Sequence, residues 1–172
     1  VDRQAAIQRL VDHYESPRHR RTIEDADVTM PGGNPGCGDT VISYLNVATD
    51  GEHVHDLAWV GDGCTISQAA ASLVTQLIHD EGWTLTDIEK FEYAALIDML
   101  GRDVVRSRPR CATLALGTLK AAVAQYRRNQ LVESLNGSFV DDGFDLNEDG
   151  GRREYGIVVG DDAVEASKPA CI

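Results

Sequence analysis

The stretch Thr40-Val41-Ile42-Ser43-Tyr44-Leu45-Asn46-Val47-Ala48, then Asp50-Gly51, then His53 to Val60, decides the fold class. Residues 40–48 have the β-branched and aromatic content that suits a pleated strand. Asp50-Gly51 is a turn signal and 53–60 reads as a second strand, so the pair forms a hairpin. Beyond the hairpin the chain reads as helical. From Thr65 to His79 the apolar set Ile66, Ala69, Ala70, Leu73, Val74, Leu77 and Ile78 makes one stripe. Thr86-Asp87 opens a further helix through Leu100, stopped by Gly101. After Cys111 a third stripe runs through Ala112, Ala115, Leu116, Leu119, Ala122, Val123 and Tyr126. Upstream, Ile7, Leu10, Val11 and Tyr14 predict an amphipathic helix over 3–15, ended by Ser16-Pro17. Residues 17–36 read as irregular. The expectation is an α+β fold: a small antiparallel β-sheet with several helices packed on one face.

A chain of 172 residues, 42% of them hydrophobic, is one domain with a sizeable core and no need of disulfides. Residues 1–128 carry the periodic segments and form the expected domain. Residues 129–172 read as an acidic C-terminal extension. Its part from 141 onward holds nine acidic and three basic residues, half of the total net charge of −12, and only Gly156-Ile157-Val158-Val159 there looks like a strand. This charge argues against nucleic acid, which needs a basic face. No apolar run approaches the roughly 18 residues of a membrane span. The charged start Val1-Asp2-Arg3-Gln4 leads into an amphipathic run, so a signal peptide is not expected there. A cytoplasmic protein with reduced thiols is the expectation.

The four cysteines carry the chemistry. Cys37 lies in Asn34-Pro35-Gly36-Cys37-Gly38-Asp39, a turn with a thiol and a carboxylate two residues apart. Cys64 ends Gly61-Asp62-Gly63-Cys64, just before a helix, whose N-terminus favours a thiolate. Cys111 follows Arg108-Pro109-Arg110 and precedes another helix. Thiolates suit zinc or iron–sulfur clusters, and glycines beside Cys37 and Cys64 leave room for an ion. No Cys-x-x-Cys is present, which excludes a zinc ribbon and a thioredoxin-like site. Periodicity does not show that the three thiols meet, so inert core cysteines stay open as an alternative.

The chain resembles the U-type iron–sulfur cluster assembly scaffolds, the IscU, SufU and NifU N-terminal group. The resemblance rests on Asp12-His13-Tyr14-Glu15-Ser16-Pro17-Arg18, on 34–39, on Gly61 to Leu73 and on Arg110-Cys111-Ala112-Thr113-Leu114. These stretches lie in the family's order and span residues 5–127. The resemblance implies that Cys37, Cys64 and Cys111 hold a cluster or zinc, with Asp39 as the labile carboxylate beside them. It implies a scaffold that takes sulfur from a cysteine desulfurase of the SufS or IscS type. Such a scaffold assembles a [2Fe–2S] cluster from iron and passes it to apo iron–sulfur proteins. Cys37 and Cys111 are then the candidate sulfur acceptors.

Two branches of the family compete. IscU-like members carry a His before the third cysteine and a Leu-Pro-Pro-Val-Lys motif upstream; here stand Arg110 and Val104-Val105-Arg106-Ser107-Arg108-Pro109. Arg108 matches a SufU-like arginine that faces the desulfurase, and the local motifs lean SufU/NifU-like. The gap between the second and third cysteines is of IscU-like length. Three readings are open: a cluster scaffold, a zinc-dependent sulfur-transfer partner that activates the desulfurase, or a structural-zinc domain without sulfur chemistry. The first is not an enzyme in the usual sense; the second leaves sulfurtransferase activity open. His13 is expected to be structural, His53 and His55 solvent-exposed, His79 a helix-end residue and Cys171 incidental. There is no Gly-x-x-x-x-Gly-Lys loop and no Ser/His/Asp set, which argues against nucleotide hydrolysis.

Overall fold

The computed structural model describes residues 2–136 and 158–159. In chain order they form α1 (Arg3–Glu15), β1 (Val28–Asn34), β2 (Asp39–Val47), β3 (Val54–Asp62), α2 (Thr65–Glu81), α3 (Leu85–Lys90), α4 (Tyr93–Leu100), α5 (Arg102–Val105), α6 (Pro109–Asn136) and β4 (Val158–Val159). The sheet order is β3-β2-β1-β4 and every pairing is antiparallel. The expected α+β architecture holds. Along β2, Asp39, Val41, Ser43 and Leu45 are buried and the alternate residues less so. This period of two fixes which side chains face the helices. α6 packs on β1 and β2, α2 on β3 and α6, and α1 on α2. Between them lies a core that includes Leu45, Leu57, Trp59, Val74, Ile78, Leu114, Leu116 and Leu119.

The expected helix over 3–15 is α1, and the hairpin is β2–β3, with Gly51 at φ 74° in its turn. Three expectations need correction. Residues 28–34 fall in the segment read as irregular, yet they are β1, in full register with β2 from Val28↔Leu45 to Asn34↔Asp39. Pro31, Gly32 and Gly33 hid it, because they read as turn residues. Among the described residues β1 meets β4 at Gly32 and Gly33, beside Pro31. Gly32 serves helix packing: a Cβ there would lie 1.9 Å from Thr118 Oγ1 of α6. Second, the helix expected through Leu100 is two. Thr84 and Asp87 form a reciprocal capping box at α3, which stops at Phe91 (φ −63°, ψ 122°), whose ring meets Trp83 edge-on at 4.8 Å. Third, α6 starts before Cys111 and runs to Asn136.

The expected domain boundary at 128/129 falls inside α6, and Val158–Val159, within the stretch read as a strand, pairs with β1. Cys171 lies outside the described residues. No helix among the described residues is long and apolar enough to cross a membrane.

Candidate metal centre

Three short segments meet at one end of the sheet. The first is the turn between β1 and β2, held by Cys37 N–H and Gly38 N–H, which both donate to the Asn34 carbonyl at 3.0 and 2.9 Å. Gly38 there has φ 70°, a conformation suited to glycine. The second is the start of α2, where Cys64 is the N-cap residue. The third is the first turn of α6, where Pro109 is the first helical residue and Cys111 the third. Two helix N-termini therefore point into one place, and their free N–H groups and dipoles favour negative charge there.

The side chains converge accordingly. One ligand atom each of Cys37, Asp39 and Cys111 lie within 4.8 Å of one another. Cys111 Sγ–H donates to Cys37 Sγ at 3.3 Å, and Cys64 Sγ is 3.9 Å from Asp39 Oδ2. A tetrahedral ion with thiolates at about 2.3 Å has ligand–ligand edges of about 3.8 Å, so the spacing of Cys37, Asp39 and Cys111 suits three ligands of zinc or of one iron of a cluster, with Cys64 Sγ beside Asp39 but outside that group. Asp39 is 1% exposed because β2's alternation turns it to the core face, at its end. Its Oδ1 accepts Cys64 N–H at 2.8 Å, which ties the carboxylate to the start of α2 and leaves Oδ2 toward the thiols. Gly63 makes this contact possible, since a Cβ there would fall 2.5 Å from Asp39 Oδ1.

The thiols differ in access. Cys37 is exposed, Cys64 half-buried and Cys111 buried. Burial pushes the Cys111 thiol pKa far up; the hydrogen bonds to Asp39 and Cys37 and the charge of Cys64 add to this. Arg108 is exposed at the rim, and its hydrogen bond to Cys64, with the charges of Cys64, Cys37 and Cys111, raises its own pKa. The structure thus brings Cys37, Asp39 and Cys111 together, sets Cys64 against Asp39, and leaves Arg108 exposed at the rim, where the cysteines raise its pKa.

The histidines take other positions. His13 is buried, its Nδ1 sharing a hydrogen bond with Ser72 Oγ at 2.8 Å, while Ser72 Oγ accepts the Arg18 N–H. Burial, then the charge of Arg18, lowers its pKa and keeps the ring neutral. His53 and His55 are exposed. His79 donates from Nε2 to the Leu57 carbonyl at 2.9 Å and stacks on His19 at 3.9 Å. Sequence reasoning assigns no role to one residue of the site, Asn34: it is 2% exposed and its Nδ2 lies 3.6 Å from Cys111 Sγ. The available signal is a polar side chain at the end of a strand, directly before the Pro-Gly-Cys turn.

Residues 6–133 match the model of the NifU-like N-terminal domain. The chain is 32% identical over 131 residues to the zinc-dependent sulfurtransferase SufU of Bacillus subtilis, covering 67% of this chain and 87% of that one. It is 29% identical over 128 residues to the iron–sulfur cluster assembly scaffold protein IscU 1 of Archaeoglobus fulgidus, covering 74% and 80%. Among solved structures, a SUF-system scaffold protein of Fervidobacterium islandicum shares 25% identity at a TM-score of 0.55, over 67% of this chain and 94% of that one. The N-terminal part of a NifU-like protein from Brucella abortus has the same fold, with a TM-score of 0.59 at 17% identity, over 70% and 93%. With residues 6–133 matching that family model, and with relatives and solved structures of the same kind, the chain belongs to the NifU-like N-terminal domain family, the iron–sulfur cluster assembly scaffolds of the IscU and SufU type.

Proposed function

We propose that this protein accepts sulfur from a cysteine desulfurase of the SufS or IscS type, assembles a [2Fe–2S] cluster and hands it to apo iron–sulfur proteins. The observation that carries the reading is the meeting of Cys37, Asp39 and Cys111 within 4.8 Å at the mouths of two helices, with Cys64 against Asp39. Cys37, Cys64 and Cys111 are the thiolate ligands and Asp39 the carboxylate. Of the two candidate sulfur acceptors, exposed Cys37 is the one a partner's persulfide reaches; Cys111 is 0% exposed. In that step the Cys37 thiolate attacks the terminal sulfur of the desulfurase persulfide. A new S–S bond forms on Cys37, the old one breaks, and the desulfurase cysteine leaves as thiolate. Asp39 is the harder and more readily displaced ligand, which suits a site that must release what it holds. Arg108 lies on the rim beside Cys64, where it can also pair with a carboxylate of the docking desulfurase. We place this chemistry in the cytoplasm, where thiols stay reduced.

A second reading has its own support. The similarity to a zinc-dependent sulfurtransferase, and a spacing of Cys37, Asp39 and Cys111 that suits three ligands of one ion, favour a zinc-bearing sulfur acceptor that stimulates the desulfurase and builds no cluster. In that case zinc is the resident ion, held by the same four residues, and its chemistry is to keep the thiols deprotonated. The two readings separate in one experiment. Freshly purified protein is assayed for zinc and iron, then incubated with desulfurase, cysteine, ferrous iron and a dithiol that supplies the two further electrons needed to reduce persulfide sulfur to sulfide, while visible absorption and transfer to an apo-ferredoxin are followed. Cluster bands and ferredoxin maturation, both lost in Cys37→Ser, are expected. Stoichiometric zinc with sulfur uptake but no cluster would replace the scaffold reading with the zinc reading.

A further inference from the structure

Asn34 is the last residue of β1, paired with Asp39 across the hairpin, and 2% exposed. Its main chain already has a task, since the Asn34 carbonyl accepts the N–H groups of Cys37 and Gly38 and so holds the turn. That task asks nothing of the side chain. The side chain instead reaches across to α6, where Nδ2 donates to Cys111 Sγ at 3.6 Å, a contact between residues 77 apart in the chain.

The donors around the other acidic groups form a pattern. The Asp39 carboxylate takes the Cys64 N–H, and the exposed Arg108 stands close enough to Cys64 for that thiol to raise the pKa of the guanidinium. Cys111 takes the Asn34 amide. Among the described residues, the one hydrogen bond given to Cys37 Sγ comes from Cys111 itself. Three thiolates and a carboxylate on a divalent ion leave a net charge of −2, and an N–H donor spreads that charge without adding a full positive one. An amide is the suitable group at the buried corner. A lysine or arginine there would neutralise the thiolate and bring a charge into the core, and a carboxylate would repel it. Ligand orientation by such outer hydrogen bonds is a general feature of metal sites.

We propose that Asn34 is a positioning residue: its Nδ2–H fixes the orientation of the Cys111 sulfur as a buried ligand and spreads its charge, so that exchange is left to Asp39 and the exposed Cys37. The proposal rests on the reading of this site as a metal centre.

The test uses the full chain loaded with cobalt(II), or with ¹¹³Cd for magnetic resonance. Asn34→Leu keeps the approximate volume and loses the donor; Asn34→Asp keeps the shape and turns an acceptor toward the sulfur. Without the N–H the Cys111 thiolate is the stronger electron donor. The thiolate-to-cobalt charge-transfer band is therefore expected to move to lower energy in Asn34→Leu, with zinc affinity reduced about 10- to 100-fold. In the wild type loaded with ¹¹³Cd, a scalar coupling between an Asn34 side-chain amide proton and the cadmium is expected across the N–H···S bond; this measurement stands even if neither variant folds. No coupling in the wild type, or an unchanged band and affinity in a folded Asn34→Leu, overturns the proposal. A wild type that binds neither cobalt nor cadmium overturns the metal-centre reading itself, and the role of Asn34 with it.

Discussion

Gly63→Ala is the perturbation that best tests how the site is held. A Cβ at residue 63 would lie 2.5 Å from Asp39 Oδ1, 2.6 Å from Ser67 Oγ and 3.0 Å from Asp39 Cβ. Carbon packs without strain at about 3.5–4.0 Å, so the carboxylate is overlapped by roughly 1 Å. Ser67 can turn away, at the expense of its 2.9 Å hydrogen bond to the Cys64 carbonyl. Asp39 cannot, because it is 1% exposed and its Cβ is fixed by strand β2. Moving it breaks the 2.8 Å bond from Cys64 N–H. Overpacking and the loss of one charge-assisted hydrogen bond together cost about 2–4 kcal/mol, equivalent to a fall in Tm of about 5–15 °C. Zinc affinity, measured by competition with a chromophoric chelator, should drop about 10- to 100-fold. The double variant Gly63→Ala/Asp39→Ala isolates the cause. With the carboxylate gone, adding Gly63→Ala should cost at least about 1 kcal/mol less than it does in wild type. A Gly63→Ala protein with unchanged Tm and zinc affinity, or a penalty that is the same in both backgrounds, would refute the account of Asp39 as clamped between Gly63 and the start of α2.

Arg108→Ala should weaken desulfurase stimulation and lower zinc affinity about 10-fold, with Arg108→Lys recovering part of both, because the guanidinium acts on Cys64 as well as on any partner; wild-type values for both quantities would remove Arg108 from the site. Truncation after Asn136 deletes the two-residue strand on β1 and no member of the Cys37/Asp39/Cys64/Cys111 set, so it should cost about 1 kcal/mol, read as a few degrees of Tm, and leave the zinc stoichiometry intact. Loss of zinc on truncation would show that the extension supplies a ligand. His13 is held neutral, with its pKa lowered by burial and then by Arg18, so the unfolded chain takes up the proton first. Stability from this residue is full above the ordinary histidine pKa of about 6.5 and declines as pH falls toward the lower folded value. Urea titrations between about pH 7.5 and 5 should show a shallower slope for His13→Gln than for wild type, and equal slopes would refute the assignment.

Much of the fold was legible because its signals are local. The stripe of α2, the β-rich run of β2, the turn at Asp50-Gly51 and the stop of α1 at Ser16-Pro17 each depend on neighbours within a few residues. β1 was not legible, because its Pro31-Gly32-Gly33 carries the composition of a turn. What makes it a strand is full register with β2 and the space its glycine gives to Thr118, 86 positions later by residue number. The break between α3 and α4 has the same character: Phe91 leaves the helix where its ring meets Trp83.

For the site, the sequence determined the chemistry, namely which thiols and which carboxylate are available and that Cys64 opens a helix. It did not determine the burial of Asp39, which reads there as a turn residue and becomes buried because β2 begins at Asp39 and its alternation faces Asp39, Val41, Ser43 and Leu45 to the core. Only the tertiary structure decided that Cys37 and Cys111, 74 residues apart, stand 3.3 Å from each other, and that the first is exposed while the second is sealed in the core. It also decided that the Asn34 amide reaches the Cys111 sulfur. The reason is physical: a side chain's type and its face follow from local backbone geometry, whereas which faces meet is set by how α2 and α6 pack against the sheet, a sum over many apolar contacts that no single segment contains.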